Sequence, residues 1–155
     1  MVAIRPGGPE DLPAIHDALL LAANWDPSRQ QRPLDDPALA PYRDGWGREG
    51  DLAVIAEVER HAIGAAYCRL THGYGHVADD IPEITVGVES AYWGRGIGKQ
   101  LLLALADLAH EHGFTRLSLS VEPGNPARRL YAQLGYRQVG VDEGGGIVMA
   151  LDPIR

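Results

Sequence analysis

The amino-acid sequence predicts an α/β (α+β) fold, a mixed and mostly antiparallel central sheet flanked by helices. Three observations predict it. The β-branched run Ile84-Thr85-Val86-Gly87-Val88 leads through a glycine-rich turn into an unbroken helical pattern from Gln100 to His112. A second strand, turn and helix follow over Leu117 to Leu134, so the helix between the two strands is a crossover joining parallel neighbours. The runs Leu52 to Val58 with Ala62 to Leu70, and Tyr136 to Val141 with Ile147 to Leu151, have the spacing of antiparallel hairpins.

In chain order, Val2 to Arg5 reads as a first strand, and Leu12, Ile15, Leu19 and Ala22 give the apolar stripe of a first helix with Pro9 near its start. From Asn24 to Gly50 the composition shifts to Pro, Asp, Arg and Gly, with a short helix expected around Asp36 to Arg43. The first hairpin turns over Glu59-Arg60-His61, and Thr71 to Pro82 is a loop carrying His72, His76, Asp79 and Asp80. Two His and two Asp so close together suggest a metal site. No strand or helix fixes their geometry, and the sequence is read as having no metal site there. In the central helix Ile97, Leu101, Leu105 and Leu108 fall on one face, which is therefore buried. Asn125 is suited to cap a helix over Pro126 to Leu134, and Gly135 ends it.

The 155 residues, 45% of them hydrophobic, suffice for one compact domain over 1–155. Fourteen Lys and Arg against twenty-one Asp and Glu leave a net charge of −7, which argues against nucleic acid as a partner. The single cysteine, Cys68, excludes an internal disulfide framework. With no signal peptide or long apolar run, the expectation is a cytoplasmic protein that does not enter the membrane.

The candidate binding site is Trp93-Gly94-Arg95-Gly96-Ile97-Gly98-Lys99. Glycines at alternate positions let a ligand approach the backbone, and the helix that follows offers unpaired N–H groups at its positive end. That combination binds phosphate, with Arg95 and Lys99 adding cationic side chains. A nucleotide P-loop is excluded, because Trp93 stands where its first glycine belongs and Gln100 follows Lys99 instead of Ser or Thr. A dinucleotide fingerprint also fits poorly, since the spacing is G-x-G-x-G.

The stretch from Val88 to Gly98 resembles the acyl-coenzyme A pyrophosphate loop of the GCN5-related N-acetyltransferases, whose core is [RQ]-x-x-G-x-[GA] between a strand and a helix. Trp93 departs from the pattern, where Arg or Gln is usual. A second block, Asn125-Pro126-Ala127-Arg128-Arg129-Leu130-Tyr131-Ala132-Gln133-Leu134-Gly135-Tyr136, is similar to the family's N-x-x-A-x-x-L-Y-x-x-x-G-[FY] element, one residue shorter between Asn and Tyr. The order of elements from about Val2 to Leu151 follows the same family, so the resemblance covers nearly the whole chain and implies its acyltransferase fold.

What the resemblance implies is direct transfer from acetyl-coenzyme A to a primary amine. Glu83 would take the amine proton, with His72, His76, Asp79 or Asp80 as alternatives. Backbone groups of Val86, Gly87 and Val88 would hold the pantetheine arm and polarise the thioester. Gly94, Arg95, Gly96, Ile97, Gly98 and Lys99 would hold the pyrophosphate, with Asn125 also at the cofactor, and Tyr131 would protonate the leaving thiolate. The Asn24 to Gly50 segment would form the acceptor pocket. Trp25, Tyr42 and Trp46 either line that pocket or pack the segment onto the core, and Asp79 and Asp80 would attract the substrate ammonium. A second copy of the chain, in a homodimer, is a further candidate partner. Two rivals remain: a non-catalytic acyl-coenzyme A sensor or regulatory partner of the same fold, and a nucleotide switch, which the missing Ser or Thr disfavours.

Overall fold

In the computed structural model, which describes residues 1–154, the chain runs β1 (Ala3–Pro6), α1 (Leu12–Ala23), α2 (Ala40–Arg43), β2 (Leu52–Val58), β3 (His61–Arg69) and β4 (Glu83–Val88). It continues through α3 (Ile97–Glu111), β5 (Leu117–Val121), α4 (Ala127–Gln133), β6 (Arg137–Val141) and β7 (Ile147–Leu151). The seven strands form one sheet in the order β1-β2-β3-β4-β5-β7-β6, antiparallel throughout except where β4 meets β5.

The two faces of the sheet carry different helices because the strands alternate two apolar sets. Ala53, Ile55, Ala65 and Tyr67 pack with Ile15, Ala18 and Leu19 of α1 and with Leu39. Val54, Ala56, Ala66, Cys68, Ile84, Leu117 and Leu119 pack with Ile97, Leu101 and Leu105 of α3 and with Tyr131 of α4. The distance between α1 and β4 is set by Gly87. A Cβ there would lie 2.4 Å from the Ala18 carbonyl oxygen, so no larger residue fits.

Several element boundaries differ from the expectation for local reasons. The central helix begins at Ile97, inside the glycine motif, because Gly96 takes a left-handed conformation (φ 76°) and is its N-cap. The β2–β3 turn uses Glu59 and Arg60, both at positive φ (51° and 68°), a primed hairpin turn made without glycine. The helix expected near Asp36 is a single 3-10 turn over Pro37–Leu39 running into α2, with Asp36 Oδ1 accepting from the Ala38 N–H at 2.9 Å. Among the described residues no helix is long and apolar enough to cross a membrane.

Candidate active site

β4 and β5 meet at one register pair, Glu83 with Ser118, held by the Ser118 N–H donating to the Pro82 carbonyl at 2.9 Å. No pair joins them beyond it. Peptide direction alternates along a strand, and Pro82 faces β5, so Val86 and Val88 also turn their N–H and C=O toward β5. Glu89 confirms the alternation by donating to the Ile63 carbonyl at 2.9 Å, on the opposite side. The Val88 carbonyl is taken by Trp93, whose indole Nε1–H donates to it at 2.7 Å. Gly87 belongs to the other set: it faces α1, and its carbonyl oxygen lies 2.9 Å from where a Gly64 Cβ would be.

The glycine loop sits at the open end of this gap. Gly94 and Gly96 have φ of 78° and 76°, and a Cβ on either would meet nothing within 4 Å, so open space lies in front of both. Ile97 anchors the loop in the core at 3% exposure, while Gly98 and Lys99 continue the first turn of α3. The Arg95 guanidinium lies 5.1 Å from the Tyr92 ring centre, and Arg95 and Lys99 are exposed at the rim.

Glu83 is 1% exposed. Its Oε1 accepts from the Gly73 N–H at 3.1 Å, and its Oε2 is enclosed without a hydrogen-bond partner. Tyr42 comes from α2 to stand beside it: its hydroxyl accepts from the Tyr74 N–H at 2.7 Å. Burial raises the proton affinity of Glu83, and the Tyr42 hydroxyl and the N–H groups of Gly75 and Gly73 offset part of that rise. Burial and the neighbouring Glu83 charge push the Tyr42 phenol up in turn. A buried carboxyl with elevated pKa at the mouth of a gap is suited to general base work.

On the α3 and α4 side, Tyr131 is 9% exposed, and burial pushes its phenol up to about 12. Its ring meets Tyr136 edge-on with centroids 5.9 Å apart. The Tyr136 and Ser118 hydroxyls are enclosed without partners. Cys68 is fully buried and its thiol is pushed up to about 12, which suits packing rather than nucleophilic attack. Asn125 Oδ1 accepts from the Ala127 N–H at 3.0 Å, so this side chain fixes the start of α4.

The remaining predicted residues divide. Trp25 lies beneath the Arg29 guanidinium, 5.5 Å from its centre, and 3.6 Å from a Cβ position on Gly124. With Arg29 paired to Glu122, the segment after α1 therefore reaches the β5–α4 loop. Trp46 packs on Tyr67 edge-on at 5.4 Å and under Arg69, so it lies half-buried against the core. Asp79 pairs with His72 and His76 at 3.0 Å each, and Asp80 with Arg116 at 3.5 Å, so neither carboxylate is free. As expected, no strand or helix carries the loop's His and Asp, yet the loop brings His72, His76 and Asp79 together.

Two features had no signal in the sequence. One is the contact of Tyr42 with Glu83, forty-one residues apart. The other is a buried ion pair of Arg69 with Asp51, 0% and 1% exposed, with contacts at 3.0 Å to both carboxylate oxygens. Arg69 also reaches the carbonyls of Pro41 and Gly45 at 3.4 Å, and thereby holds the segment that carries Tyr42.

Residues 17–136 match the Acetyltransferase (GNAT) family. The chain is 33% identical over 137 residues, 84% of its length, to a mycothiol acetyltransferase of Corynebacterium diphtheriae, and covers 44% of that protein. It is 30% identical over 105 residues, 63% of its length, to N-alpha-acetyltransferase RimI of Mycobacterium tuberculosis, covering 65% of it. It thus spans less than two thirds of either curated relative. PaiA N-acetyltransferase from Thermoplasma acidophilum, solved with coenzyme A, shares the fold with a TM-score of 0.71 at 18% identity, over 98% of this chain and 99% of that one.

Proposed function

The chain belongs to the acetyltransferase (GNAT) family, and from that premise we propose that it moves an acetyl group from acetyl-coenzyme A directly to a primary amine. The amine is that of a small molecule, a peptide N-terminus or a lysine. The observation that carries this reading is the parting of β4 from β5 immediately after Glu83, with the left-handed Gly96 and the start of α3 at its open end.

The chain's groups suit each part of the reaction. The Val86 peptide groups and the Val88 N–H are turned into the gap, where an acyl-pantetheine arm can pair with them as a strand would, the Val88 carbonyl being held by Trp93. The N–H groups at the start of α3, with Arg95 and Lys99, hold the pyrophosphate. The acyl donor supplies an activated carbonyl carbon. Glu83 accepts a proton from the ammonium, and the amine nitrogen then bonds to that carbon as the carbon–sulfur bond breaks. Fixed N–H donors favour the charge that develops on the carbonyl oxygen. Tyr131, whose phenol is protonated at neutral pH even without the rise that burial gives it, passes its proton to the departing sulfur and is reprotonated as the new amide nitrogen sheds its second proton.

The names of the two curated relatives, an N-alpha-acetyltransferase and a mycothiol acetyltransferase, support acetyl transfer as the reaction class. The net charge of −7 favours a cationic acceptor. The test compares melting temperatures with acetyl-coenzyme A, desulfo-coenzyme A and ATP, then screens amines by thiol release. Both coenzyme A ligands should raise the melting temperature and ATP should not. A shift with ATP alone, or thiol release that no amine accelerates, would refute the reading.

A further inference from the structure

The β3–β4 loop carries a cluster that acetyl transfer leaves unused. The loop is anchored on Glu83 through Gly73, on Tyr42 through the Tyr74 N–H, and on β5, where a Cβ on Gly75 would lie 2.5 Å from the Leu119 carbonyl carbon. A turn closed by the His76 N–H and the Gly73 carbonyl at 3.2 Å brings the His72 and His76 rings into a stack, centroids 4.1 Å apart and 28° from parallel. Nε2 of each ring lies 3.0 Å from the same atom, Asp79 Oδ1.

We propose that His72 Nε2, His76 Nε2 and Asp79 Oδ1 form a binding site for a zinc-class divalent cation, and that filling it inhibits transfer to a cationic amine. The inhibitory half rests on the acetyltransferase reading; the site does not.

The three ligand atoms lie within 4.8 Å of one another. Tetrahedral zinc at about 2.0–2.2 Å from each ligand sets their mutual spacing near 3.4 Å, so the nitrogen–oxygen contacts need to open only by tenths of an ångström. Two imidazoles and one carboxylate suit zinc, cobalt, nickel or copper, and not magnesium or calcium, which prefer oxygen ligands throughout. Three protein ligands leave a fourth position open. As plain ion pairs these contacts contribute little, because His72 is 75% and Asp79 83% exposed.

The cluster adjoins Glu83, whose proton affinity the His76 ring influences. Gly73, between the two histidines in sequence, holds Glu83 Oε1. A bound dication consumes the Asp79 carboxylate and adds positive charge beside the carboxyl that must receive an ammonium.

The test titrates the chelator-treated chain with zinc chloride by calorimetry and with cobalt(II) by its visible absorption. One site is expected. His76→Ala and Asp79→Asn should each weaken it by more than the roughly 10- to 100-fold that losing an outer-shell partner costs, with metal-free melting unchanged. His110→Ala, at an exposed histidine of α3, should bind as the parent does. No zinc binding by the parent chain, or equal binding by the His76→Ala/Asp79→Asn double variant, overturns the site. Zinc-saturated protein that releases thiol at the metal-free rate overturns the inhibition, and the binding titration decides the site whether or not the chain transfers acetyl groups.

Discussion

Glu83 and Ser118 form the single register pair between β4 and β5, and Glu83 is the first residue of β4. The carboxyl proposed to take the amine proton thus stands at the point where the sheet opens. Its position follows from topology: the loop from β3 and the segment after α1 both cross that point, supplying Gly73 to one carboxylate oxygen and Tyr42 to its flank.

Glu83→Gln should lower turnover by about 100- to 10,000-fold with little change in affinity for acetyl-coenzyme A, and should remove the acid limb of the pH–rate profile. In the parent enzyme that limb should lie above the ordinary carboxylate range, because burial raises the pKa of Glu83. A group whose pKa is raised on folding stabilises below its unfolded pKa, and that contribution is lost as pH rises through the folded value. The melting temperature of the Gln variant should therefore gain on the parent as pH rises beyond the ordinary carboxylate range. A parallel pair of stability curves would show that Glu83 titrates normally.

Tyr131→Phe removes one hydroxyl and keeps the ring that packs on Tyr136. Melting should change little while turnover falls. The defect should shrink with a thioester of a more acidic thiol, since that thiolate leaves without help. An equal defect with both donors would assign Tyr131 to positioning, and no defect with either would assign it to the core.

Gly96→Val places a β-branched residue at φ 76°, at a strain of about 1–3 kcal/mol, and directs its side chain into the open space before the loop. Calorimetry should show acetyl-coenzyme A binding weakened more than about tenfold, which is 1.4 kcal/mol, while unfolding stays cooperative. Unchanged affinity would remove the pyrophosphate from this loop.

Asp51→Ala leaves the buried Arg69 guanidinium without its partner. Breaking such a pair costs about 3–5 kcal/mol, which lowers the melting temperature by roughly 10 °C in a chain of this size. The Tyr42 segment, which Arg69 holds through the Pro41 and Gly45 carbonyls, should loosen with it, so turnover should fall at temperatures where the variant is still folded. A melting change of under a degree would show that the pair is replaceable.

The sheet and its helices were legible because each rests on a local period. The stripe Ile97, Leu101, Leu105 and the alternation in β2 and β3 are near-neighbour patterns that survive into the fold. Glu83 and Tyr131 were reached through motifs that lie beside them in the chain. Tyr42 was named only as one of three aromatics, since its partner Glu83 lies across the α1–β2 segment and two strands. Arg69 and Asp51 read as ordinary charges, because only tertiary burial distinguishes a paired core charge from a solvated one. The loop's histidines were set aside for want of a rigid element, but Tyr42, Glu83 and the β5 backbone supply the rigidity.

The central claim is that acetyl-coenzyme A lies between β4 and β5 with its pyrophosphate at the start of α3. Amide hydrogen exchange with and without acetyl-coenzyme A tests it most directly. The amides of Val86 and Val88, and those from Gly94 to Lys99, should exchange more slowly with the ligand bound, while Ala3–Pro6 of β1 and Arg137–Val141 of β6 should be unaffected. Saturating ligand that leaves the exchange of residues 86–99 unchanged would contradict the account.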